Sequence, residues 1–281
     1  MIKIMADSPC DIPKGEAQQY DIQIFPVELF MSDCSYRDNV DISTAEFYEK
    51  LKQTDEFPTT SQIGILDFEK AFLEAAKQGY DEVMCFTLPL KASGTHQNAH
   101  LAKNMVADKT DMEITIIDSG TFSYIYGRMI VEAAKMAKQD CTHDQIMEKL
   151  TYMRDNHYVL IATDTLKYLK KGGRINPAVA NIGEILQIKP ILSVDDGLIS
   201  SAAKVKGQKR VFPKILELLK ENGLKKATEI TILQGDAIER ALEFSHILHQ
   251  EAKTDNIYIT EVGPVIGIHT GPGVIAVILW K

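Results

Sequence analysis

Residues 263–273 read GPVIGIHTGPG, and the apolar run VIAVILW follows directly at residues 274–280. Four glycines and two prolines in the first stretch argue against a regular helix or a central strand, because proline lacks an amide donor and glycine favours turns. We therefore predict a tight loop that wraps around a ligand, with a buried final strand behind it. The imidazole of His269 and the hydroxyl of Thr270 stand in this loop, where both suit hydrogen bonding to an anion.

The composition is typical of a globular protein, and its length of 281 residues predicts two domains. The net charge of −8 at pH 7 argues against general binding of nucleic acid. The four cysteines show no CxxC spacing, so we expect neither a zinc site nor a disulfide framework. The first residues turn acidic too early for a signal peptide, and no apolar run is long enough to cross a bilayer. We therefore predict a cytoplasmic protein without membrane insertion.

The first half of the chain alternates between strand, polar loop and helix, which predicts a parallel sheet with helical crossovers. Short apolar runs predict strands at residues 2–6, 82–88 and 113–117. Each strand is followed by a loop with hydroxyl or carboxylate side chains: Asp7-Ser8, Ser93-Gly94-Thr95 and Asp118-Ser119. Because ligands of such sheets bind outside the carboxyl ends of the strands, we expect these loops to line a ligand site.

The second half predicts an α+β arrangement. Strands at residues 190–194 and 198–205 flank Asp195-Asp196-Gly197, which is a hairpin signal. We place the domain boundary near residue 157. This gives an N-terminal α/β domain with a mostly parallel sheet, residues 1–157, and a C-terminal α+β domain, residues 158–281.

Residues 165–214 are strongly basic within an acidic protein. They contain ten lysines and arginines, opposed by Glu184, Asp195 and Asp196. This asymmetry indicates either a surface on which a partner docks or a solvated face that offsets acidic residues elsewhere. Both interpretations stay open at this point.

Most short motifs in the chain argue for no particular chemistry. GPGVIA at residues 271–276 matches a dinucleotide fingerprint, but too few residues remain for the helix and strand that must follow it. Neither a P-loop nor a G-x-S-x-G nucleophile elbow is present. His96 and His100, and likewise His246 and His249, have helical spacing without further ligands nearby, so we predict helix faces rather than metal sites.

A cluster of hydroxyls supports three hypotheses. Its members are Thr59, Thr60, Ser61, Ser93 and Thr95. They suit hydrogen bonding to an anionic ligand, either a carboxylate or the phosphates of a nucleotide, and they also suit simple helix capping. A serine hydrolase with Ser93, His269 and Asp118 as its triad is the remaining alternative.

Taken in chain order, several motifs resemble the DegV family of bacterial lipid-binding proteins. They are Ala6-Asp7-Ser8, Pro58-Thr59-Thr60-Ser61-Gln62, Ser93-Gly94-Thr95, Asp118-Ser119, residues 166–175, Lys189-Pro190-Ile191-Leu192 and residues 263–273. The chain departs from the usual family pattern at Ala6, Ile63, Gly64 and His96. The resemblance covers essentially the whole chain.

The resemblance implies a non-catalytic protein without cofactor or metal. It also implies that one long-chain fatty acid, such as palmitate, stearate or oleate, is bound between an N-terminal α/β domain and a C-terminal α+β domain. Carried over from the family, the carboxylate-binding residues are Thr60, Ser61, Ser93 and His269. The supporting loop residues are Gly94, Thr95, Thr270 and Gly271. The implied partner is an ATP-binding fatty acid kinase subunit that makes an acyl phosphate, and we predict that it docks on Lys170, Lys171 and Arg174.

Overall fold

The computed structural model describes residues 1–176, 188–195 and 197–281. The strands are β1 (Ile2–Asp7), β2 (Gln23–Phe25), β3 (Glu28–Met31), β4 (Cys34–Arg37), β5 (Thr59–Thr60), β6 (Glu82–Thr87), β7 (Glu113–Asp118), β8 (His157–Ala162), β9 (Ile188–Asp195), β10 (Leu198–Lys206), β11 (Glu229–Gly235), β12 (Ile257–Glu261) and β13 (Val274–Trp280). The helices are α1 (Lys14–Gln19), α2 (Thr44–Gln53), α3 (Ile65–Lys77), α4 (Thr95–Val106), α5 (Tyr124–Ala137), α6 (His143–Asp155), α7 (Lys167–Gly172), α8 (Val211–Glu221), α9 (Ile238–Glu251) and α10 (Pro264–Thr270).

The chain forms two compact units. Unit 1 contains Met1–Ser43 and Pro58–Thr151, and unit 2 contains Thr44–Phe57 and Tyr152–Lys281. The sequence predicted one boundary near residue 157, with each domain formed by a continuous stretch. The observed units differ from this prediction, because the segment with α2 belongs to unit 2. The reason is apolar packing, since Phe47 of this segment is fully buried beside the backbone of α10.

Unit 1 is built on a four-stranded sheet in the order β2-β1-β6-β7, and all its strand pairs are parallel. This confirms the predicted parallel sheet. Every residue of β6 is buried, as expected for a central strand covered on both faces. A small antiparallel sheet, β4-β3-β5, carries Thr59 and Thr60 at its edge.

Unit 2 is built on a six-stranded mixed sheet in the order β10-β9-β8-β13-β11-β12. The last strand of the chain, β13, is central, because it pairs antiparallel with both β8 and β11. All seven of its residues are buried, which explains its uninterrupted apolar sequence. The hairpin β9–β10 forms where it was predicted. Asp196 of its turn, and Glu184 of the basic stretch, lie outside the described residues.

The prediction that residues 263–273 form an irregular loop was wrong. Seven of these residues, Pro264–Thr270, form the helix α10. Pro264 stands in the first turn, where its missing amide costs nothing, and Gly271 ends the helix with a positive φ of 74°. Gly267 is required by packing rather than by a turn. A Cβ there would lie 2.7 Å from Phe47 Cε1 and 2.8 Å from the Tyr48 hydroxyl.

Within the part of the chain that the structure describes, every helix is too short or too polar to cross a bilayer.

Candidate functional site

The carboxylate at the end of β1 is part of the frame of unit 1. Asp7 is fully buried, and its oxygens accept hydrogen bonds from the Leu88 amide and the Tyr126 hydroxyl, both at 2.7 Å. Burial raises the pKa of Asp7 to about 7, although these hydrogen bonds act in the opposite direction. Asp7 therefore anchors the loop after β6 rather than facing a ligand, in contrast to the expectation from its position.

Ser8 has the same kind of role. Its hydroxyl donates to Asp38 Oδ2 at 2.6 Å and accepts from the Val27 amide at 3.1 Å. Asp38 is 1% exposed, and burial raises its pKa to about 6. Sequence reasoning did not single out Asp38, because an aspartate before an asparagine in a polar stretch carries no signal of burial.

Two of the predicted hydroxyl loops are joined in unit 1. The Thr95 hydroxyl accepts hydrogen bonds from the Ile63 amide at 3.2 Å and from the Ser93 hydroxyl at 3.0 Å. Asn98 adds a second link, since its side chain donates to the Ile63 carbonyl at 2.8 Å. Thr95 is fully buried, so its part is structural: it holds the loop of Ser93 beside the loop that follows β5.

The contact between the two loops is close at Gly94. A Cβ on this residue would lie 1.9 Å from Gln62 Oε1, so only glycine allows the observed packing of that side chain. Ser61 is tied to the small sheet by a bond from its amide to the Glu28 carbonyl at 3.0 Å. Thr60, Ser61 and Ser93 are all half-buried.

His269 occupies the last turn of α10 in unit 2, and its Nδ1 is buried with no hydrogen-bond partner among the described residues. Burial and, to a smaller extent, the nearby charge of Arg174 lower the pKa of His269 to about 4. The imidazole is therefore neutral at pH 7. A proton on Nδ1 would be an unsatisfied buried donor, so the favoured tautomer carries it on Nε2 and can donate one hydrogen bond.

Gly172, at the end of α7, makes room for this imidazole. A Cβ on Gly172 would lie 2.0 Å from His269 Nδ1. The guanidinium of Arg174 donates to the Gly172 carbonyl at 2.6 Å, which keeps its positive charge close to the same ring. Sequence reasoning missed Gly172, since a Gly-Gly pair in a basic stretch resembles an ordinary helix end.

The other predicted residues of unit 2 have separate surroundings. The Thr270 hydroxyl donates to the Ile266 carbonyl at 3.1 Å, within its own helix. A Cβ on Gly271 would lie 2.3 Å from the Tyr168 ring. Lys171 is exposed, with its ammonium 5.7 Å from the centre of the Phe57 ring, and Lys170 is half-buried.

Each unit also has an open cleft with a charged lining. The cleft in unit 1 measures about 810 Å³ and includes Ser61, but Glu28, Asp67 and Lys70 also line it. The cleft in unit 2 measures about 560 Å³ and has more acidic than basic side chains: its charged residues are Asp236, Glu239, Arg240 and Glu261. Charged walls do not suit an acyl chain, and the excess of carboxylates in unit 2 would repel phosphate.

Nothing among the described residues favours a metal-dependent or triad-based reaction at the hydroxyl cluster. No group of three or more His, Cys, Asp or Glu in the described ranges is arranged to hold a metal ion. The Ser93 hydroxyl donates to Thr95, and the carboxylate of Asp118 accepts from the backbone amides of Leu90 and Gly120.

The fold and these sites define a two-unit α/β protein with hydroxyl loops in unit 1 and a neutral histidine in unit 2. The family described as "Uncharacterised protein, DegV family" matches residues 1–281. A DegV domain-containing protein of Clostridium acetobutylicum is 32% identical over 281 residues, which cover 100% of this chain and 99% of that protein. The chain belongs to the DegV family.

Solved structures agree with this assignment. A fatty-acid-binding DegV family protein from Thermus thermophilus matches with a TM-score of 0.89 at 27% identity, over 100% of this chain and 99% of that one. A stearic-acid-binding protein from Eubacterium ventriosum matches with a TM-score of 0.90 at 27% identity, with the same coverage. The predicted family and fold class are thereby confirmed.

Proposed function

We propose that this protein binds one long-chain fatty acid and holds its carboxylate with Thr60, Ser61, Ser93 and His269. The observation that carries the proposal is the neutral, desolvated imidazole of His269, in a chain that resembles fatty-acid-binding proteins along its whole length. In line with the family resemblance, we propose that the fatty acid lies in a tunnel to which both units contribute. Four further residues support the loops that hold the carboxylate: Gly94, Thr95, Thr270 and Gly271.

The energetics favour an acyl ligand. Burial of about fifteen methylene groups contributes roughly 12 kcal/mol before the cost of immobilising the chain. The carboxylate must then be hydrogen-bonded, because a buried anion without donors would cancel this gain. Hydroxyls and a neutral imidazole supply donors without a fixed buried charge, so the protein does not pay a large desolvation penalty in its empty state.

The composition of the bound material tests the proposal. Purified protein is extracted under denaturing conditions and the extract is examined by mass spectrometry. We expect about one long-chain fatty acid per chain in the wild type. Ser93→Ala and His269→Ala should each bind added fatty acid more weakly by about 1–3 kcal/mol in calorimetry, since each change leaves the carboxylate short of a donor. A bound nucleotide, or a peptide acylated at Ser93, would contradict the proposal and support the phosphate-binding or hydrolase alternative.

We further propose that a separate ATP-binding kinase subunit receives the fatty acid and converts it to an acyl phosphate. Arg174, Lys170 and Lys171 would form the docking surface, because Arg174 and Lys171 are exposed and all three lie in the basic stretch. Exposed cations of this kind suit an acidic partner surface or bound phosphates.

Arg174→Ala separates docking from lipid binding. It should retain fatty acid at wild-type stoichiometry and lose acyl-phosphate formation with the kinase. Arg174→Lys should recover little activity if the contact is bidentate. Full turnover by Arg174→Ala would contradict the docking role, and loss of the lipid would assign the arginine to the fatty acid site.

A further inference from the structure

Two histidines outside the carboxylate-binding set meet at the start of α4. His96 and His100 lie one helical turn apart, and their Nε2 atoms are 3.2 Å from each other. The rings are arranged edge to face, with centroids 4.7 Å apart. Their spacing in sequence predicted an ordinary helix face, but the two nitrogens lie within hydrogen-bonding distance of each other.

The separation of these nitrogens matches that of two ligands on one metal ion. Zinc–imidazole bonds measure about 2.0–2.1 Å, and a tetrahedral angle between two such bonds places the nitrogens roughly 3.3 Å apart. The observed 3.2 Å is within a tenth or two of that value. The distance between the two nitrogens therefore fits chelation of one ion.

The surroundings of His96 resemble those of a metal ligand. Its Nδ1 lies 2.9 Å from the hydroxyl of Thr87, a residue that is fully buried at the end of β6. A hydrogen bond from Nδ1–H to this hydroxyl leaves the Nε2 lone pair directed at His100. Partners of this kind orient the ring and select the tautomer in metal sites.

The electrostatics also favour a cation at this point. The carboxylate of Asp118 lies close enough to His96 to interact electrostatically with its ring. A divalent ion between the two histidines would be attracted by the same carboxylate.

We propose that His96 and His100 form a two-histidine binding site for a divalent transition metal such as Zn²⁺ or Cu²⁺. No third His, Cys, Asp or Glu of the described residues completes the site, so water supplies the remaining ligands. Imidazole favours late first-row metals over Mg²⁺ and Ca²⁺, which prefer oxygen. The ion would fasten the first turn of α4, which directly follows Ser93 and Gly94.

Calorimetric titration of the tag-free, full-length protein tests the site, with ZnCl₂ as the probe and MgCl₂ as the comparison. We expect the wild type to bind one Zn²⁺ per chain. In both His96→Gln and His100→Gln this binding should be lost or at least tenfold weaker. His100 is exposed, so His100→Gln should fold normally, and circular dichroism on the same samples checks this. Mg²⁺ should show no comparable binding.

The chain supplies a matched control in a second pair of histidines on α9. His246 Nε2 lies 3.1 Å from Gln250 Nε2, and His249 Nδ1 lies 3.9 Å from Asp255 Oδ1, so these two rings face different groups. His246→Gln and His249→Gln should leave zinc affinity unchanged. The proposal is overturned if the wild type binds no Zn²⁺, or if His96→Gln and His100→Gln bind it as tightly as the wild type.

Discussion

Gly172 lies directly against the imidazole of His269, with so little space that a Cβ on residue 172 would stand 2.0 Å from Nδ1. The two residues are almost a hundred positions apart in sequence and come from different helices, α7 and α10. Because Gly172 closes off Nδ1, only Nε2 remains to serve a ligand. This relationship determines how the histidine can take part in binding.

Gly172→Ala should weaken fatty acid binding without unfolding the protein. The φ of Gly172 is not positive, so alanine causes no backbone strain, and the main consequence is displacement of the ring. We expect a loss of about 1–3 kcal/mol in binding free energy, the value of a misplaced donor to a charged acceptor. Calorimetry with a long-chain fatty acid measures the loss.

The neighbouring glycine is the control for this change. Gly173 has a φ of 68° and no atom within 4 Å of the position of a Cβ, so Gly173→Asn adds a side chain without touching His269. Wild-type affinity in Gly172→Ala, or an equal loss in both variants, would show that the contact does not position the imidazole.

His269 should act as a neutral donor across the physiological pH range. Its pKa of about 4 lies below the ordinary 6.5, so its charge does not change between about pH 6.5 and 8.5. We therefore expect an affinity for fatty acid that stays constant over this pH range, whereas binding by a protonated histidine would weaken as pH rises. His269→Gln should retain most of the affinity that His269→Ala loses, because the amide also offers a neutral N–H.

Binding isotherms over that pH range decide between the two forms. A wild-type affinity that falls steadily with rising pH, while His269→Gln shows no such fall, would mean that the imidazolium holds the carboxylate.

The depressed pKa of His269 also affects the stability of the protein. The unfolded chain takes up a proton near pH 6.5, so the contribution of neutral His269 to the free energy of unfolding is lost as pH falls toward 4.

Asp7 should make the protein less stable as pH rises toward neutrality. Its pKa is about 7 in the folded protein and near 3.8 when exposed, so the folded state binds the extra proton between these values. The contribution of Asp7 to the free energy of unfolding should fall with pH across this window, by at most about 1.4 kcal/mol per pH unit. Above pH 7 this contribution is absent.

Urea denaturation at several pH values measures the effect. Asp7→Asn should reduce this pH dependence, because its side chain can still accept from the Leu88 amide but cannot titrate. Asp38, with its own raised pKa of about 6, accounts for part of the dependence that remains. Asp144→Asn, at an exposed position on α6, is the matched control and should follow the wild type. Identical slopes in the wild type and Asp7→Asn would contradict the raised pKa.

Gly267→Ala should destabilise unit 2 by overpacking. The added methyl group would lie 2.7 Å from Phe47 Cε1 and 2.8 Å from the Tyr48 hydroxyl, so α10 or α2 must shift. We expect a decrease of about 1–3 kcal/mol in the free energy of unfolding, the usual cost of one extra group in a packed core. Chemical denaturation monitored at Trp280 provides the measurement.

A second substitution tests the mechanism. Phe47→Leu removes part of the ring that the methyl group meets, so the double variant should be more stable than the sum of the two single effects. Strict additivity would show that the methyl group is accommodated elsewhere.

Local chemistry made much of this fold predictable. Strand β6 and the helix after Gly94 were located because apolar periodicity and turn residues act over a few neighbouring positions. The burial of β13 was also predicted, because residues 274–280 are an uninterrupted run of apolar side chains. The error at α10 has the same local origin, because a count of glycines and prolines ignores that Pro264 and Gly271 stand at the two ends of a helix.

The sequence identifies the functional groups of the candidate site, which are the hydroxyls of Thr60, Ser61 and Ser93 and the imidazole of His269. How these groups are used depends on the tertiary structure. It buries Asp7 and raises its pKa, engages the Thr95 hydroxyl in hydrogen bonds within unit 1, and makes His269 neutral. The physical reason is that burial and partner distance set protonation and hydrogen bonding. Both depend on residues far apart in the chain, such as Gly172 and His269, whose proximity no local pattern encodes.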